Sequence, residues 1–457
     1  MNDIAIVGGG LVGSLLSVYL AKQGCNVTVY ERRANMRNRT VDGGRSINLA
    51  LSNRGWRALD AVGMSEKIRK IAIPMEGRMI HQEDGRVQFQ PYGQKGEAIY
   101  SVSRGVLNNE LDKATDDHPN VDYVYDCKCT NVDLDNNVLY LNKNGEDFTV
   151  NPDIIIGADG AFSAVRRSMQ FKKRFNYQQH FLPHAYKELS IPAGENGSWQ
   201  LQKNALHIWP RRSFMLIALP NLDGSFTCTL FLSYEGEDAF ENLTDEASVK
   251  QFFETEFPDA VPLMPTLIED FFSNPTDALV TIRCAPWNYG NKVMLMGDAS
   301  HAIVPFYGQG MNSGFEDCRV FNELVEANKQ NGNIDWTTVF SSFNDLRIPD
   351  AEAIADLALK NFIEMRDSVA DQSFLLRKKI EKHIQNKYPD VFTPAYALVT
   401  FRDDVRYSKA KRRGEIQDEL FSQLLKKDVV AEKFENDNLQ KEIEALVDKY
   451  KELTEQM

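Results

Sequence analysis

Glycines near the N-terminus are spaced as in turns that bind phosphate groups. Gly8, Gly10 and Gly13 form a G-x-G-x-x-G pattern, with Val12 just before the last glycine. In such a turn the first glycine allows a tight bend, the second lets the backbone approach a pyrophosphate, and the third lets a helix pack close to a strand. Amide groups at the start of that helix face the phosphates. The pattern therefore predicts a dinucleotide site at Gly8, Gly10, Val12 and Gly13.

A carboxylate follows at the position where such a site holds a ribose. Glu31 comes directly after Asn26–Tyr30, which has the composition of a second strand. A carboxylate at the end of this strand can accept hydrogen bonds from the ribose diol. The next segment is basic and contains Arg32, Arg33, Arg37 and Arg39. It is either a solvated charged turn or a group of cations that neutralises phosphates.

Acidic turns follow two later apolar segments. Asp159 follows Ile154–Ile156 in a Gly-Ala-Asp-Gly turn, and Asp298 follows Lys292–Met296 in a Gly-Asp-Ala turn. Ligands bind outside the carboxyl ends of the strands in open α/β sheets, so both carboxylates are candidate contacts. For Asp159, a tight turn in which the carboxylate binds its own backbone is an equal alternative.

A second glycine-rich turn precedes a predicted helix. Residues 308–312 read Gly-Gln-Gly-Met-Asn, and helical periodicity continues over Ser313–Lys329. Unpaired N–H groups at a helix start can face an electron-rich ligand. Gly310, Met311 and Asn312 are therefore further candidate contacts.

The order of predicted elements indicates an α/β fold with an insertion. Phe214–Leu219 and Phe226–Leu232 flank a turn and predict an antiparallel hairpin. Its Met215 and Phe231 either line an apolar pocket or belong to an ordinary sheet core. The predicted organisation is a discontinuous first domain, an inserted sheet domain and a helical region, at residues 1–180 with 283–330, 181–282 and 331–457, respectively.

Composition argues against several classes of protein. The 457 residues carry a net charge of −13, which argues against nucleic acid as a partner. No apolar run approaches the ~18 residues that a membrane span requires. The six cysteines are scattered without a zinc-ligand pattern, so we expect free thiols in a reducing cytoplasm.

The order of these motifs resembles that of the FAD-dependent aromatic hydroxylases, which are single-component flavoprotein monooxygenases. One dinucleotide turn, one Gly-Ala-Asp-Gly and one Gly-Asp-Ala succeed one another between residues 4 and 330. The resemblance implies an α/β, p-hydroxybenzoate-hydroxylase-like fold: a Rossmann-type FAD-binding domain, an inserted antiparallel-sheet substrate domain and a helical C-terminal region. Beyond the first turn, the candidate contacts to bound FAD are Glu31, Arg32, Arg33, Ala50, Arg104, Asp159, Asp298, Gly310, Met311 and Asn312.

Longer segments are similar to the kynurenine 3-monooxygenases, one branch of these hydroxylases. The similar segments are 45–51, 206–210, 217–221, 305–312, 361–365 and 396–401. This resemblance implies that Arg78 pairs with the carboxylate of L-kynurenine. It implies hydrogen bonds around that carboxylate from Tyr92, Asn361 and Tyr396. Tyr307 stands where the family has histidine or phenylalanine, so its role as a substrate contact is open. The implied enclosure of the ring consists of Met215, Leu219, Phe231, Pro305, Phe306 and Met365.

The resemblance also implies that the cofactor performs the difficult chemistry. In the family, reduced flavin and O₂ form a flavin hydroperoxide, which hydroxylates L-kynurenine to 3-hydroxykynurenine. NADPH is a transient co-substrate, since the chain has one dinucleotide pattern. The aromatic amine of kynurenine activates its ortho carbon, so no catalytic acid or base is assigned to the protein. The protein binds, orients and excludes water.

The last residues of the chain bear on its localisation. Eukaryotic members of the branch carry a hydrophobic C-terminal membrane anchor, whereas residues 451–457 here are charged and amphipathic. A cytoplasmic, bacterial-type enzyme without a membrane span is therefore expected, and a homo-oligomer is compatible with the sequence.

The alternative functions are a hydroxylase of another aromatic acid on the same fold and a non-catalytic flavin-binding sensor. The substrate-side residues argue against the first, and the intact turn at 308–312 argues against the second.

Overall fold

The computed structural model describes residues 2–35, 48–365, 372–426 and 437–455. Arg37, Arg39 and residues 45–47 of the segment 45–51 lie outside the described residues. Gln456 and Met457 of the charged C-terminal segment also lie outside them.

The described residues form a mixed α/β structure. The strands are β1 (Asp3–Val7), β2 (Asn26–Tyr30), β3 (Asn48–Leu51), β4 (Ala72–Met75), β5 (Gly77–His81), β6 (Val87–Pro91), β7 (Ile99–Ser103), β8 (Val121–Val124), β9 (Cys127–Asp133), β10 (Val138–Lys143), β11 (Glu146–Val150), β12 (Ile154–Gly157), β13 (Asn176–Ile191), β14 (Ala205–Arg211), β15 (Phe214–Pro220), β16 (Phe226–Ser233), β17 (Thr276–Ala285), β18 (Asn288–Tyr289), β19 (Val293–Leu295), β20 (Lys329–Gln330) and β21 (Asn333–Ile334). The helices are α1 (Leu11–Lys22), α2 (Asn53–Ala61), α3 (Ser65–Arg69), α4 (Arg104–Ala114), α5 (Ala164–Met169), α6 (Glu246–Glu256), α7 (Leu267–Ser273), α8 (Asp298–His301), α9 (Gly310–Ala327), α10 (Trp336–Ile363), α11 (Gln372–Lys387), α12 (Ala395–Thr400), α13 (Tyr407–Leu424) and α14 (Asp437–Glu455).

A six-stranded sheet brings the three predicted turns to one edge. Its order is β18-β19-β12-β1-β2-β8, and its pairs are parallel except β18–β19. The central strands β1 and β12 are buried along their apolar residues, as expected for a parallel sheet covered on both faces. Because β1, β12 and β19 run in the same direction, the turns at their carboxyl ends are neighbours.

A seven-stranded sheet forms the second layer of the site. Its order is β17-β13-β16-β15-β14-β5-β6, and its pairs are antiparallel except β14–β5. The predicted hairpin is β15–β16, with Met215 opposite Phe231. The β5–β6 hairpin, from residues 77–91, joins the sheet beyond β14. The sheet therefore draws strands from outside residues 181–282, which the sequence pattern did not indicate.

The two faces of this sheet have different surroundings. The face we call outer packs under α6 and α7, where Trp209, Phe253 and Phe257 are buried in one apolar cluster. The face we call inner carries Met215 and Phe231, which pack against Phe306 and the helices that follow it. Because side chains alternate along a strand, Arg78 and His81 on β5 lie on opposite faces.

The C-terminal part is helical, as predicted. Helix α10 is capped by Asp335, whose carboxylate accepts hydrogen bonds from the amides of Thr337 and Thr338. The heptad-like run of α14 is buried against α11 and α13 through Leu439, Ile443, Leu446 and Tyr450. None of the helices in the described ranges combines the length and apolar character needed to span a bilayer.

Candidate active site

A cavity of about 390 Å³ lies where the glycine-rich turns meet the inner face of the seven-stranded sheet. It is continuous from the turn after β1 to the side chain of Arg78. The predicted site residues that line it are Gly10, Val12, Ala50, Arg78, Tyr92, Arg104, Met215, Leu219, Phe231, Asp298, Pro305, Phe306, Tyr307, Gly310, Met311, Met365 and Tyr396. The predicted residues that lie outside its lining are Gly8, Gly13, Glu31, Arg32, Arg33, Asp159, Asn312 and Asn361. The cavity thus joins predicted FAD-binding residues and predicted substrate-binding residues in one space.

The first turn requires glycine for close packing and for an open approach. Gly8 has φ +104°, and a Cβ there would lie 2.5 Å from the carbonyl oxygen of Ala158. A Cβ on Gly13 would lie 1.9 Å from the carbonyl oxygen of Gly8. Gly10 differs, because a Cβ there would meet no protein atom within 4 Å and the residue lines the cavity. Gly8 and Gly13 therefore shape the turn, whereas Gly10 offers bare backbone to a ligand.

Glu31 fastens this turn to the end of β2. Its Oε2 accepts a 2.7 Å hydrogen bond from the amide of Gly9, and both of its oxygens accept hydrogen bonds from Arg33. Burial favours the neutral acid, but the hydrogen bonds and charge of Arg33 outweigh it and lower the pKa of Glu31. Arg32 is exposed. A ribose contact for Glu31 stays a prediction, and its established partners here are Gly9 and Arg33.

Asp159 serves partly as a helix cap. Its Oδ2 accepts hydrogen bonds from the amides of Ala164 and Val165, at 2.6 and 3.3 Å, in the first turn of α5. Its Oδ1 is buried and has no hydrogen-bond partner among the described residues. Burial raises the pKa of this carboxyl. The local hydrogen bonding that the sequence left as an alternative is therefore present, and one oxygen remains for a donor.

The start of α9 is held in place by Asn312. Its amide donates to the carbonyls of Ala50 and Gly308, both at 2.8 Å, and its Oδ1 accepts from the amide of Ser52 at 2.9 Å. The side chain is fully buried by these contacts. Asn312 therefore positions β3 and the turn before α9, while Gly310 and Met311 line the cavity itself.

Arg78 is a half-buried cation that forms no ion pair with a carboxylate among the described residues. Its guanidinium carbon lies 5.1 Å from the ring centre of Tyr92 and 5.0 Å from that of Tyr396. Among the described residues it forms no ion pair with a carboxylate, and its buried Nε atom has no hydrogen-bond partner. Burying an unpaired charge is costly, so this end of the cavity is suited to an anion.

Three tyrosines stack beside Arg78. The ring centres of Tyr92 and Tyr396 are 5.5 Å apart, and those of Tyr396 and Tyr307 are 5.3 Å apart, with near-parallel planes. The hydroxyl of Tyr92 is buried without a partner among the described residues. Burial raises the pKa of each of these phenols, so they are neutral donors at physiological pH. Tyr307, whose role the sequence left open, belongs to this column.

The remaining wall is apolar. Phe231 lies against Phe306, with ring centres 4.9 Å apart, and Phe306 stacks on Phe362 at 4.2 Å. The sulfur-containing and aliphatic members of the wall are Met215, Leu219 and Met365. A planar ring placed here would contact aromatic and aliphatic side chains on several sides.

Comparison with known proteins decides the family. The family described as FAD binding domain matches residues 1–330. The chain is 50% identical over 427 residues to the kynurenine 3-monooxygenase of Flavobacterium johnsoniae, covering 93% of this chain and 94% of the relative. It is 42% identical to the kynurenine 3-monooxygenase of Sus scrofa, covering 93% of this chain and 89% of the relative. The chain belongs to the kynurenine 3-monooxygenase family.

Solved structures confirm the fold of this member of the kynurenine 3-monooxygenase family. A tetrameric form of 2-methyl-3-hydroxypyridine-5-carboxylic acid oxygenase has a TM-score of 0.66 at 18% identity, covering 84% of this chain and 98% of that one. The p-nitrophenol 4-monooxygenase of Pseudomonas putida has a TM-score of 0.64 at 18% identity, covering 86% and 96%. The predicted p-hydroxybenzoate-hydroxylase-like α/β fold is therefore confirmed.

The residues at and beside the end of the cavity near the turn after β1 are suited to binding FAD. Gly10 leaves its backbone open to a pyrophosphate, and the buried Oδ1 of Asp159 lacks a protein partner among the described residues. The side chains of Arg104 and Asp298 reach the same cavity from α4 and α8. Backbone amides at the start of α9 lie there too, through Gly310 and Met311. This family member thus presents donors, an acceptor and bare backbone along one path.

Asn361 forms hydrogen bonds to protein groups beside the cavity. Its amide donates a 2.6 Å hydrogen bond to the carbonyl of Phe306 and contacts the sulfur of Met365 at 3.3 Å. It therefore holds the segment that carries Phe306 and is absent from the cavity lining. A contact between Asn361 and substrate stays a prediction.

Sequence reasoning missed several lining residues of this family member. Ile217 lies between the predicted Met215 and Leu219, and all three project from the same face of β15. The alternation of side chains along a strand was a sufficient signal for Ile217. The sequence pattern did not indicate Met75 and Ile99 as lining residues, because they lie on strands of a separate small sheet, β3-β7-β4.

A buried network of charges lies behind the turn at 308–312. Arg347 pairs with Glu316 and Asp317 on α9 and with Asp350 on its own helix, and its side chain is 2% exposed. Arg54 pairs with Glu316 from α2 and donates to backbone carbonyls of residues 399–405. Burial opposes ionisation of Glu316 and Asp317, but the paired cations, with His301 for Asp317, lower the pKa of both. The network ties α9 to the helical C-terminal region.

Proposed function

We propose that this chain hydroxylates L-kynurenine to 3-hydroxykynurenine, with FAD bound and with NADPH and O₂ as co-substrates. One observation carries the proposal. The unpaired guanidinium of Arg78 lies in the same continuous cavity as the glycine-rich turns of an FAD-binding domain. Relatives of 42–50% identity carry the name kynurenine 3-monooxygenase, which supports this choice of substrate.

In this proposal Arg78 binds the α-carboxylate of kynurenine. The planar guanidinium can donate two parallel hydrogen bonds to a carboxylate, which a lysine cannot do. Tyr92 and Tyr396 flank the guanidinium with their rings, and their neutral hydroxyls are available as donors. An acidic ligand would thus neutralise the buried charge that the fold leaves without a partner.

The apolar wall binds the aromatic ring. The rings of Phe231 and Phe306 are tilted by 54° relative to each other, and Met215, Leu219 and Met365 complete the wall around them. Because these side chains are nearly fully buried, they exclude water from the space next to the ring. Exclusion of water favours transfer of oxygen to the substrate over unproductive release of reduced oxygen.

Bound FAD supplies the electron transfer and the activation of O₂ that side chains cannot perform. The chain holds it through Gly10, Arg104, Asp298, Gly310 and Met311, with Glu31 and Asn312 shaping the surrounding turns. NADPH delivers the electrons from outside the cavity. The buried tyrosines stay protonated near pH 7 because burial raises their pKa values, so they are not available as bases.

Aerobic NADPH consumption with and without L-kynurenine tests this function. The purified protein should carry FAD, and kynurenine should increase the rate of NADPH oxidation, with 3-hydroxykynurenine identified by mass spectrometry. Anthranilate and p-hydroxybenzoate serve as comparison substrates. A product from one of these acids, with none from kynurenine, would establish a different hydroxylase. Bound FAD without turnover of any of the three would indicate a flavin-binding protein that is not a hydroxylase of these acids.

A further inference from the structure

A chain of hydrogen-bonded side chains crosses the outer face of the seven-stranded sheet. His81 Nδ1 lies 2.8 Å from Asp259 Oδ2, and His81 Nε2 lies 2.9 Å from His207 Nδ1. His207 Nε2 lies 2.9 Å from the carbonyl oxygen of Gln202. The ring of His81 stacks on Trp209 at 4.0 Å, and both imidazoles are at least 95% buried. The two imidazoles therefore lie between the sheet and the segment after α6, while the Asp259 side chain at one end is 40% exposed.

Geometry determines where the protons of this chain lie. A carbonyl oxygen only accepts, so His207 Nε2 carries a proton and donates to Gln202. Burial lowers the pKa of His207 to about 4, so the ring is neutral near pH 7 and its Nδ1 is an acceptor. His81 Nε2 must then donate to His207.

The other nitrogen of His81 is also a donor. Its partner, Asp259 Oδ2, already accepts a 2.9 Å hydrogen bond from the indole of Trp209. Burial opposes ionisation of Asp259, but hydrogen bonds from His81 and Trp209 lower its pKa, so it is a carboxylate that only accepts. His81 therefore donates through both nitrogens, which makes it an imidazolium.

The hairpin that bears this imidazolium also bears the anion-binding end of the cavity. Arg78 lies on β5 three residues before His81, and Tyr92 follows directly after β6. The hairpin is joined to the rest of the sheet through the β5–β14 pair alone, with Arg78 opposite Leu206. The bond from His81 to His207 connects the side chains of the same two strands. A shift of this hairpin would move Arg78 and Tyr92 together.

Few other charges face His81 among the described residues. Arg211 donates from Nη1 to the carbonyl oxygen of His81 at 3.1 Å and from Nε to the carbonyl of Glu256. Glu83, on the turn of the hairpin, faces Arg212 at 3.9 Å. Asp259 is thus the carboxylate in direct contact with the imidazolium.

We propose that His81, as an imidazolium held between Asp259 and His207, is a positioning residue that fixes the β5–β6 hairpin and so sets the affinity of Arg78 and Tyr92 for a substrate carboxylate. The proposal rests on the proposed function for the identity of that substrate. Each hydrogen bond ties the His81 ring to a different partner, so loss of either bond loosens the hairpin and lowers substrate affinity.

The test measures the Kd of L-kynurenine for the FAD-loaded enzyme at pH 7. His81→Phe keeps a ring on Trp209 but removes both hydrogen bonds, and should raise the Kd roughly tenfold. Asp259→Asn keeps an acceptor for His81 and for the indole of Trp209 but removes the counter-charge, and should raise the Kd by a smaller factor. His180→Phe, at an exposed position of β13, is the matched control.

Nitrogen NMR of the seven histidines reports the protonation of the His81 ring nitrogens, which a purely structural role would not determine. The His81 signals, assigned by their loss in His81→Phe, should show two protonated nitrogens at pH 7. A singly protonated His81, or an FAD-loaded His81→Phe with the Kd of the wild type, would overturn the proposal. If His81→Phe does not fold, the Kd of Asp259→Asn decides, and a wild-type value there would overturn the proposal. Absence of kynurenine binding by the wild type would instead count against the proposed function.

Discussion

Arg78 is the residue on which we propose that substrate recognition depends. Its guanidinium is enclosed by Tyr92 and Tyr396 and has no carboxylate partner among the described residues. A buried charge of this kind gains most from a ligand that brings the opposite charge. The sequence supplied the identity of the residue through family resemblance, and the structure supplies the physical reason.

Replacement of Arg78 by alanine should weaken kynurenine binding by about 2–4 kcal/mol, as for loss of one partner of a buried charge pair. Calorimetric titration of the FAD-loaded variant measures the effect. Arg86→Ala is a matched control on the same hairpin, because Arg86 is largely exposed and pairs only with Asp84 among the described residues. An unchanged Kd in Arg78→Ala would remove this residue from the site.

Replacement of Tyr92 by phenylalanine separates binding from stability. The hydroxyl is buried without a partner among the described residues, so its removal should leave the Tm unchanged or raise it. If the hydroxyl donates to the substrate, the same change should weaken kynurenine binding by about 1 kcal/mol. Thermal unfolding and titration of one preparation give both numbers. Tyr140→Phe, at a site 40% exposed, should change neither.

At the scale of elements, the seven-stranded sheet carries substrate residues on its inner face and a histidine pair on its outer face. His207 donates to Gln202 and is 2% exposed. Burial lowers its pKa to about 4 in the folded protein, against about 6.5 for an unfolded chain. The unfolded state therefore binds more protons between these values.

It follows that His207 destabilises the fold as pH falls from about 6.5 toward 4. By linkage, stability rises with pH wherever the unfolded state binds more protons, and here the effect at pH 4.5 is about 2–3 kcal/mol. Urea unfolding at pH 7 and pH 4.5, compared between the wild type and His207→Asn, isolates this contribution. The variant should lose less stability on acidification. Equal losses would show that His207 does not titrate with a lowered pKa.

At the scale of the whole molecule, buried ion pairs join the α/β part to the helical C-terminal region. Arg347 on α10 faces three carboxylates, from Glu316, Asp317 and Asp350. Asp350 also binds Arg406, directly before α13, and Ser408 in the first turn of α13. Such a network is sensitive to loss of one member, because its partners are then left charged and unpaired.

Replacement of Arg347 by alanine should cost about 3–5 kcal/mol of stability, since it leaves buried carboxylates uncompensated. The free energy of unfolding of the variant, measured in urea, checks this value. Arg412→Ala is the control, because Arg412 is 63% exposed in its pair with Glu415 and should change stability by less than about 1 kcal/mol. A similar small effect in both variants would mean that the network contributes little.

Several parts of the fold and site could be predicted from the sequence because they depend on neighbouring residues. The turn after β1 needs glycine at Gly8 and Gly13 for reasons of local backbone and strand–helix packing. The strand Asn26–Tyr30 and the hairpin β15–β16 follow from alternation around a turn. The direction of the parallel strands then places the turns that contain Asp159 and Asp298 at one edge of the six-stranded sheet.

Only the tertiary structure decided which distant groups meet. The pairing of β5 with β14 joins residues more than a hundred positions apart, and no local pattern specifies such a partner. Asn361 turns toward the carbonyl of Phe306, since a buried amide binds whichever acceptor packing places beside it. For the same reason the guanidinium of Arg78 ends beside the rings of Tyr92 and Tyr396. Local glycine and strand chemistry can be inferred from adjacent residues, whereas burial and charge pairing depend on the whole folded chain.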